Sequence, residues 1–395
     1  MVGKALKSAS LLIELLKGAG LILIFSLLMV FILGCALGAN GVFKSVAILI
    51  GSDLMPQPVA RILSIGFAII GGTMSLLLLP HFFMPPLNLD FLADNSNSIM
   101  ICAIVFATFI VMILGNRFGF PLSSTVTILG AAFGAELASN STTVKLELLA
   151  SNSLIWIAAT PLVAWLLAST FHWLGDKMGQ TLGIDRKTKI SVNNAAVAAV
   201  PQGENPLMAV TLMQSVVAEN YPQGTNVQIS ETYEGAIGSI SINNMLCTFQ
   251  IVIAALLACV WGLLEVQKVL LLASFISPSS AVLYGVAGLA GLVVGASFFG
   301  DRVGKFMSHS ISELKLGSGL IASFSAFLCA VLSAIMVIPG SLTYGVGGAI
   351  MGVGMAKERL KIEHSVYMLA AWIVTWPVSM ALGGLCYLAI KDLVK

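Results

Sequence analysis

Long apolar runs separated by short polar stretches make up most of this 395-residue chain. Ten runs lie near 18–37, 59–79, 99–115, 122–138, 153–175, 246–264, 281–299, 317–338, 342–356 and 366–390. Several approach the roughly 20 residues an α-helix needs to cross a hydrocarbon layer. One polar stretch is long: Ser191–Asn244, rich in Asn, Gln, Ser and Pro, is predicted to be a central loop, with 206–219 as a short helix inside it. It separates a first half, 18–190, from a second, 245–395. Ahead of both, 1–17 sets Lys4, Lys7 and Lys17 against Leu6, Leu12, Ile13 and Leu16, the pattern of an amphipathic helix lying in a membrane interface.

The halves repeat one another. Pro121–Ala138 reads PLSSTVTILGAAFGAELA and Pro339–Ala356 reads PGSLTYGVGGAIMGVGMA. Without a gap, Pro121 meets Pro339, Ser123 meets Ser341, Thr125 meets Thr343, Gly130 meets Gly348 and Gly134 meets Gly352. Thr160 and Pro161 find an echo in Thr375 and Pro377. Duplicated, interrupted elements in an apolar chain point to a binding site between inverted repeats. The predicted architecture is an all-α polytopic membrane protein of two inverted repeats. It has about 10–12 membrane segments, including re-entrant helical hairpins near Pro121 and Pro339. Backbone that breaks helix at that depth must line a cavity or be buried in protein.

Composition agrees. The chain is 58% hydrophobic and 10% charged, against about 25% charged in a soluble domain. Lipid is therefore the solvent for most of its surface, and a multi-pass place in a plasma or inner membrane is predicted. The first run, whose residues 18–34 precede Cys35, is read as an uncleaved span rather than a leader. A net charge of +2 with no basic tract excludes nucleic acid as a partner. The six cysteines all fall inside apolar runs with no CxxC, so they read as small buried hydrophobes and not as metal ligands. No HExxH, GxSxG or His–Asp pairing is present, which argues against an enzyme and against a cofactor.

Charge inside apolar surroundings is then the sharpest signal. Lys44 and Lys268 stand six residues past Gly38 and Gly262, at equivalent places in the two halves. An intramembrane charge is a functional candidate by default; the alternative is that both stems snorkel to a membrane surface. Glu265, three residues before Lys268, can neutralise that ammonium locally. Lys44 has no such neighbour and is the better anion ligand. Ser123, Ser124, Thr125, Ser341 and Thr343 open the repeated helices, where hydroxyls, backbone N–H groups and the helix dipole suit an oxyanion. The plainer reading of these hydroxyls is helix capping. Glu136 reads either as a proton carrier or as a solvated helix end.

These residues resemble the inorganic phosphate transporter (PiT) family of secondary transporters. Gly38-Ala39-Asn40 matches the start of its GANDVAN motif, and PLSST at 121–125 the first part of its P-V-S-T-T-H motif. The run from Phe249-Gln250-Ile251, the loop FGDRVGK…ISEL and the tail GVGMA…LAAWIVTWPVSMAL resemble the family's second half. The family's Asp falls on Gly41 and Glu265, its second Asn on Lys44 and Lys268, and its final His on Val126 and Tyr344. The resemblance implies that these positions help hold sodium and the anion, with an ammonium standing where the family places a sodium ion. It implies transport of phosphate by alternating access, coupled to sodium or to protons. The expected anion ligands are Asn40, Lys44, Ser123, Ser124, Thr125, Lys268, Ser341 and Thr343; Glu265 and Glu136 are the candidates for a coupling ion. Sulfate, another tetrahedral oxyanion, is the rival substrate, and a non-transporting sensor or scaffold the rival role. A homodimer is compatible with this reading.

Overall fold

The computed structural model describes residues 23–78, 98–139, 152–182, 185–192, 195–200, 227–234, 236–237, 240–276, 280–335, 340–357 and 359–394. The interfacial segment 1–17, the fragment 206–219 and Pro339 lie outside them. Among the described residues, eight helices are long and apolar enough to cross a membrane. They are α1 (Leu23–Gly41), α3 (Gln57–Leu78), α4 (Ser98–Phe118) and α6 (Asn152–Leu182) in the first half. The second half supplies α7 (Ile242–Ile276), α8 (Ala281–Phe298), α10 (Leu316–Ile335) and α12 (Ile362–Val394). Two short helices, α2 (Ala47–Gly51) and α9 (Asp301–Lys305), complete the connections. The repeated motifs form α5 (Ser124–Ala138) and α11 (Leu342–Ala356), each of 15 residues. At about 1.5 Å per residue neither reaches across a layer of about 30 Å.

The packing is reciprocal. Helix α5 of the first half lies most extensively on α12, the last helix of the second, and α11 of the second half lies on α6 of the first. The glycine spacing explains the fit. A Cβ at Gly130 would collide with the Ser379 hydroxyl and one at Gly134 with the backbone of Met380, while a Cβ at Gly348 or Gly352 would collide with the backbone of Pro161 or Trp165. Small residues let backbones close to contact in an apolar medium, where burial in itself gives no gain. The other helices repeat the exchange. Gly38 abuts Leu292 on α8 as Gly262 abuts Ala68 on α3, and Gly295 abuts Cys35 as Gly71 abuts Cys259. One constant displacement relates these four pairs, so the contact of α1 with α8 is repeated by that of α7 with α3. The main core gathers where α1, α4 and the motif helices meet, with Leu33, Leu37, Met100, Ile101 and Ile104 fully buried.

The halves differ where α1 ends. Helix α1 stops at Gly41 and the chain turns through 42–46 before α2, whereas α7 runs unbroken through the equivalent stretch. The sequences account for this: Ala39-Asn40-Gly41 faces Leu263-Leu264-Glu265 across the repeat, and Leu and Glu favour helix where Asn and Gly do not.

The insert departs from the loop expected of its composition. Strands β1 (Asp185–Val192), β2 (Ala195–Val200) and β3 (Val227–Glu234) form an antiparallel sheet in the order β2-β1-β3. Strand β1 begins ahead of the boundary placed at 190. Its Thr188, Ile190 and Val192 alternate with polar residues, a period-two pattern of β-branched side chains. A two-stranded pair, β4 (Ala236–Ile237) with β5 (Ile240–Ser241), leads into α7.

Candidate functional site

Between α4 and α5 the carbonyls of Phe120, Pro121 and Leu122 are each held by a side chain from elsewhere. Asn40, at the end of α1, clasps this stretch at two points: Nδ2 donates to the Phe120 carbonyl at 3.1 Å and Oδ1 accepts from the Leu122 N–H at 3.2 Å. The Pro121 carbonyl accepts from Trp372 Nε1 at 2.9 Å. The Leu122 carbonyl accepts from Lys44 Nζ at 2.5 Å and from Thr343 Oγ1 at 3.3 Å. Non-helical backbone in an apolar interior must find such partners. Thr343 belongs to α11 and Leu122 immediately precedes the N-cap of α5, so the starts of the two repeated helices meet here.

Ser123 and Ser341 play one role in the two halves. The Ser123 hydroxyl oxygen accepts from the Val126 N–H and that of Ser341 from the Tyr344 N–H, both at 3.3 Å. They are the N-caps of α5 and α11, and satisfy donors that the first helical turn leaves over. Thr125 is buried on the first turn of α5. A cavity of about 20 Å³ lies against Ser341, bordered by Thr160, Leu264, Cys329 and Gly345, room for one water molecule.

Both lysines are interior. Lys44 is 2% exposed, Lys268 5% and Glu265 4%, so neither stem snorkels to a surface. Lys268 Nζ donates to Glu265 Oε1 at 2.9 Å and to Ser124 Oγ at 2.7 Å, while the Ser124 hydroxyl donates to the same carboxylate oxygen at 2.8 Å. Among the described residues Glu265 Oε2 is buried with no hydrogen-bond partner. Lys44, bonded to the Leu122 carbonyl two residues before Ser124, is the second lysine of this interior. Two lysines are thus buried near one carboxylate.

Of the residues picked out in the sequence, Asn40, Lys44 and Thr343 meet on the Leu122 backbone, Ser124, Glu265 and Lys268 form a triad two residues on, and Ser123 and Ser341 cap the helices beside them. Glu136 stands apart, near the far end of α5; the solvated helix end is corrected, because the residue is 2% exposed. Two tryptophans were not singled out. Trp372 holds the Pro121 carbonyl and stacks on Tyr344 at 4.2 Å between ring centroids. Trp261 fills the space beside Gly41, with its indole N–H buried and unpaired. A tryptophan in an apolar run reads as a membrane-interface residue, so only the partner's position reveals these roles.

Comparison with known proteins places this geometry in context. The model of the phosphate transporter family matches residues 37–383. A putative phosphate permease of Pyrococcus furiosus is 22% identical over 412 residues, covering 94% of this chain and 97% of its own. One of Pyrococcus horikoshii is 31% identical over 102 residues, a quarter of each chain. A probable low-affinity inorganic phosphate transporter of Rhizobium meliloti is 30% identical over 107 residues, 27% of this chain and 32% of its own. Among solved structures, the sodium-dependent phosphate transporter superposes with a TM-score of 0.68 at 17% identity, over 94% of this chain and 99% of its own. That likeness is one of fold.

Proposed function

The chain belongs to the phosphate transporter family, and from that premise we infer that it is a phosphate permease, carrying inorganic phosphate across a membrane as a multi-pass protein. The observation that supports a site for the anion is the meeting of the two repeated helix starts at Leu122, with Lys44, Ser124, Lys268 and Thr343 around it. A phosphate leaving water needs charge-assisted donors, and ammoniums and hydroxyls supply them. The hydrogen bonds that now join these groups to one another are the ones the anion would replace. The two halves rock about this point, exposing it to one side and then the other. Inverted repeats and reciprocal packing support that motion. Pairing of two copies is a further expectation, read from the mass of the solubilised protein.

The test is flux. Purified protein in liposomes should take up radiolabelled phosphate, and a large excess of sulfate should leave most of that uptake in place. Complete inhibition by sulfate would favour the wider oxyanion permease. Saturable phosphate binding without flux would favour the sensor. Neither binding nor flux would end the phosphate reading.

A further inference from the structure

The solved relative is named for its dependence on sodium, and the oxygens at the meeting point decide whether such an ion suits this chain. They are the Leu122 carbonyl, the Ser124 hydroxyl and Glu265 Oε1. Each already receives an ammonium: Lys44 Nζ at 2.5 Å on the first, Lys268 Nζ at 2.7 and 2.9 Å on the others. A metal cation there would have to displace an ammonium or stand against two of them in a medium that screens like charges poorly. Sodium does not fit this donor set. An anion does. One hydrogen bond to the Leu122 carbonyl is what Lys44 Nζ makes among the described residues, out of the three an ammonium can donate. Two lysines and one carboxylate are buried there, and a bound anion would give both ammoniums a counter-charge.

We propose that Lys44 and Lys268 are the built-in counter-charges of the transported anion, so that this permease binds and moves phosphate without sodium. The proposal rests on the phosphate-transport reading above. Lys44 contacts the anion directly. Lys268 is held in place by Glu265 and Ser124 until the anion draws on it.

The experiment uses the full chain in liposomes, with sodium replaced by choline. Equal initial rates of phosphate uptake in the two media are expected. Lys44→Met should weaken equilibrium phosphate binding about tenfold or more, the worth of one charge-assisted hydrogen bond. Lys44→Arg, which keeps the charge, should recover much of that loss in both media alike. Uptake that climbs with sodium concentration overturns the proposal and leaves phosphate transport standing. Absence of uptake and binding in either medium overturns both. Unchanged binding in Lys44→Met removes Lys44 from the site. Should that variant fail to fold, the sodium response of the unaltered protein still decides.

Discussion

The interior ion pair sets the sharpest constraint on single residues. Removing the carboxylate of Glu265 leaves Lys268 buried beside Lys44 with nothing to offset it. Glu265→Gln should therefore destabilise the protein by about 3–5 kcal/mol, the cost of breaking a buried pair from one side. Thermal denaturation in detergent reads this, and the double variant Glu265→Gln with Lys268→Met should regain much of the loss. The caps behave differently. Ser123→Ala and Ser341→Ala should each cost about 1 kcal/mol and, because their positions are equivalent, by similar amounts. A melting shift confined to one of them would show that the repeats do not share the capping role. The lysines and hydroxyls were legible in the sequence because a charge in an apolar run, or a hydroxyl after a proline, stands out against its neighbours. The Leu122 carbonyl was not, since every residue carries one and no side chain announces which will be used.

Helices α5 and α11 could be read from their glycine spacing and their duplication, but not the surfaces they lie on. Glycine at helical spacing says that something comes close; it does not say what. Here the close neighbours are the backbones at Met380 and Trp165, in opposite halves. A methyl at Gly134 would strike the Met380 carbonyl, so Gly134→Ala should destabilise by about 1–3 kcal/mol, as overpacking does. Gly66 on α3 makes the control: nothing stands near its Cβ position, and Gly66→Ala should be neutral or gain up to about 1 kcal/mol from helix propensity. Equal effects at the two sites, measured by thermal denaturation in one detergent, would contradict the close approach of α5 and α12. The first apolar run ends near 37, close to the end of α1 at Gly41, whereas the run near 246–264 continues as helix to Ile276. Leu and Glu stand there where the first half has Asn and Gly, and they carry the helix on. The sheet over β1–β3 was hidden by its polar composition, which reads as loop until the alternation within 185–192 is counted.

Over the whole molecule, a multi-span helical architecture followed from the apolar runs, because a bilayer admits few other solutions; of the ten runs, two form 15-residue helices, and eight helices among the described residues are long enough to cross. The exchange of partners between halves did not follow, since nothing local in either half encodes it. It has a consequence for how the protein is made. Helix α5 leaves the ribosome well before α12, the surface it closes against. Assembly must wait until α12 is made, and the partial chain carries an unmatched glycine face in the meantime. A stop codon placed just before residue 362 would spare every charged group at the centre and still leave α5 without its partner. Such a chain should be cleared by quality-control proteases, which pulse-chase labelling of full-length and shortened products would reveal.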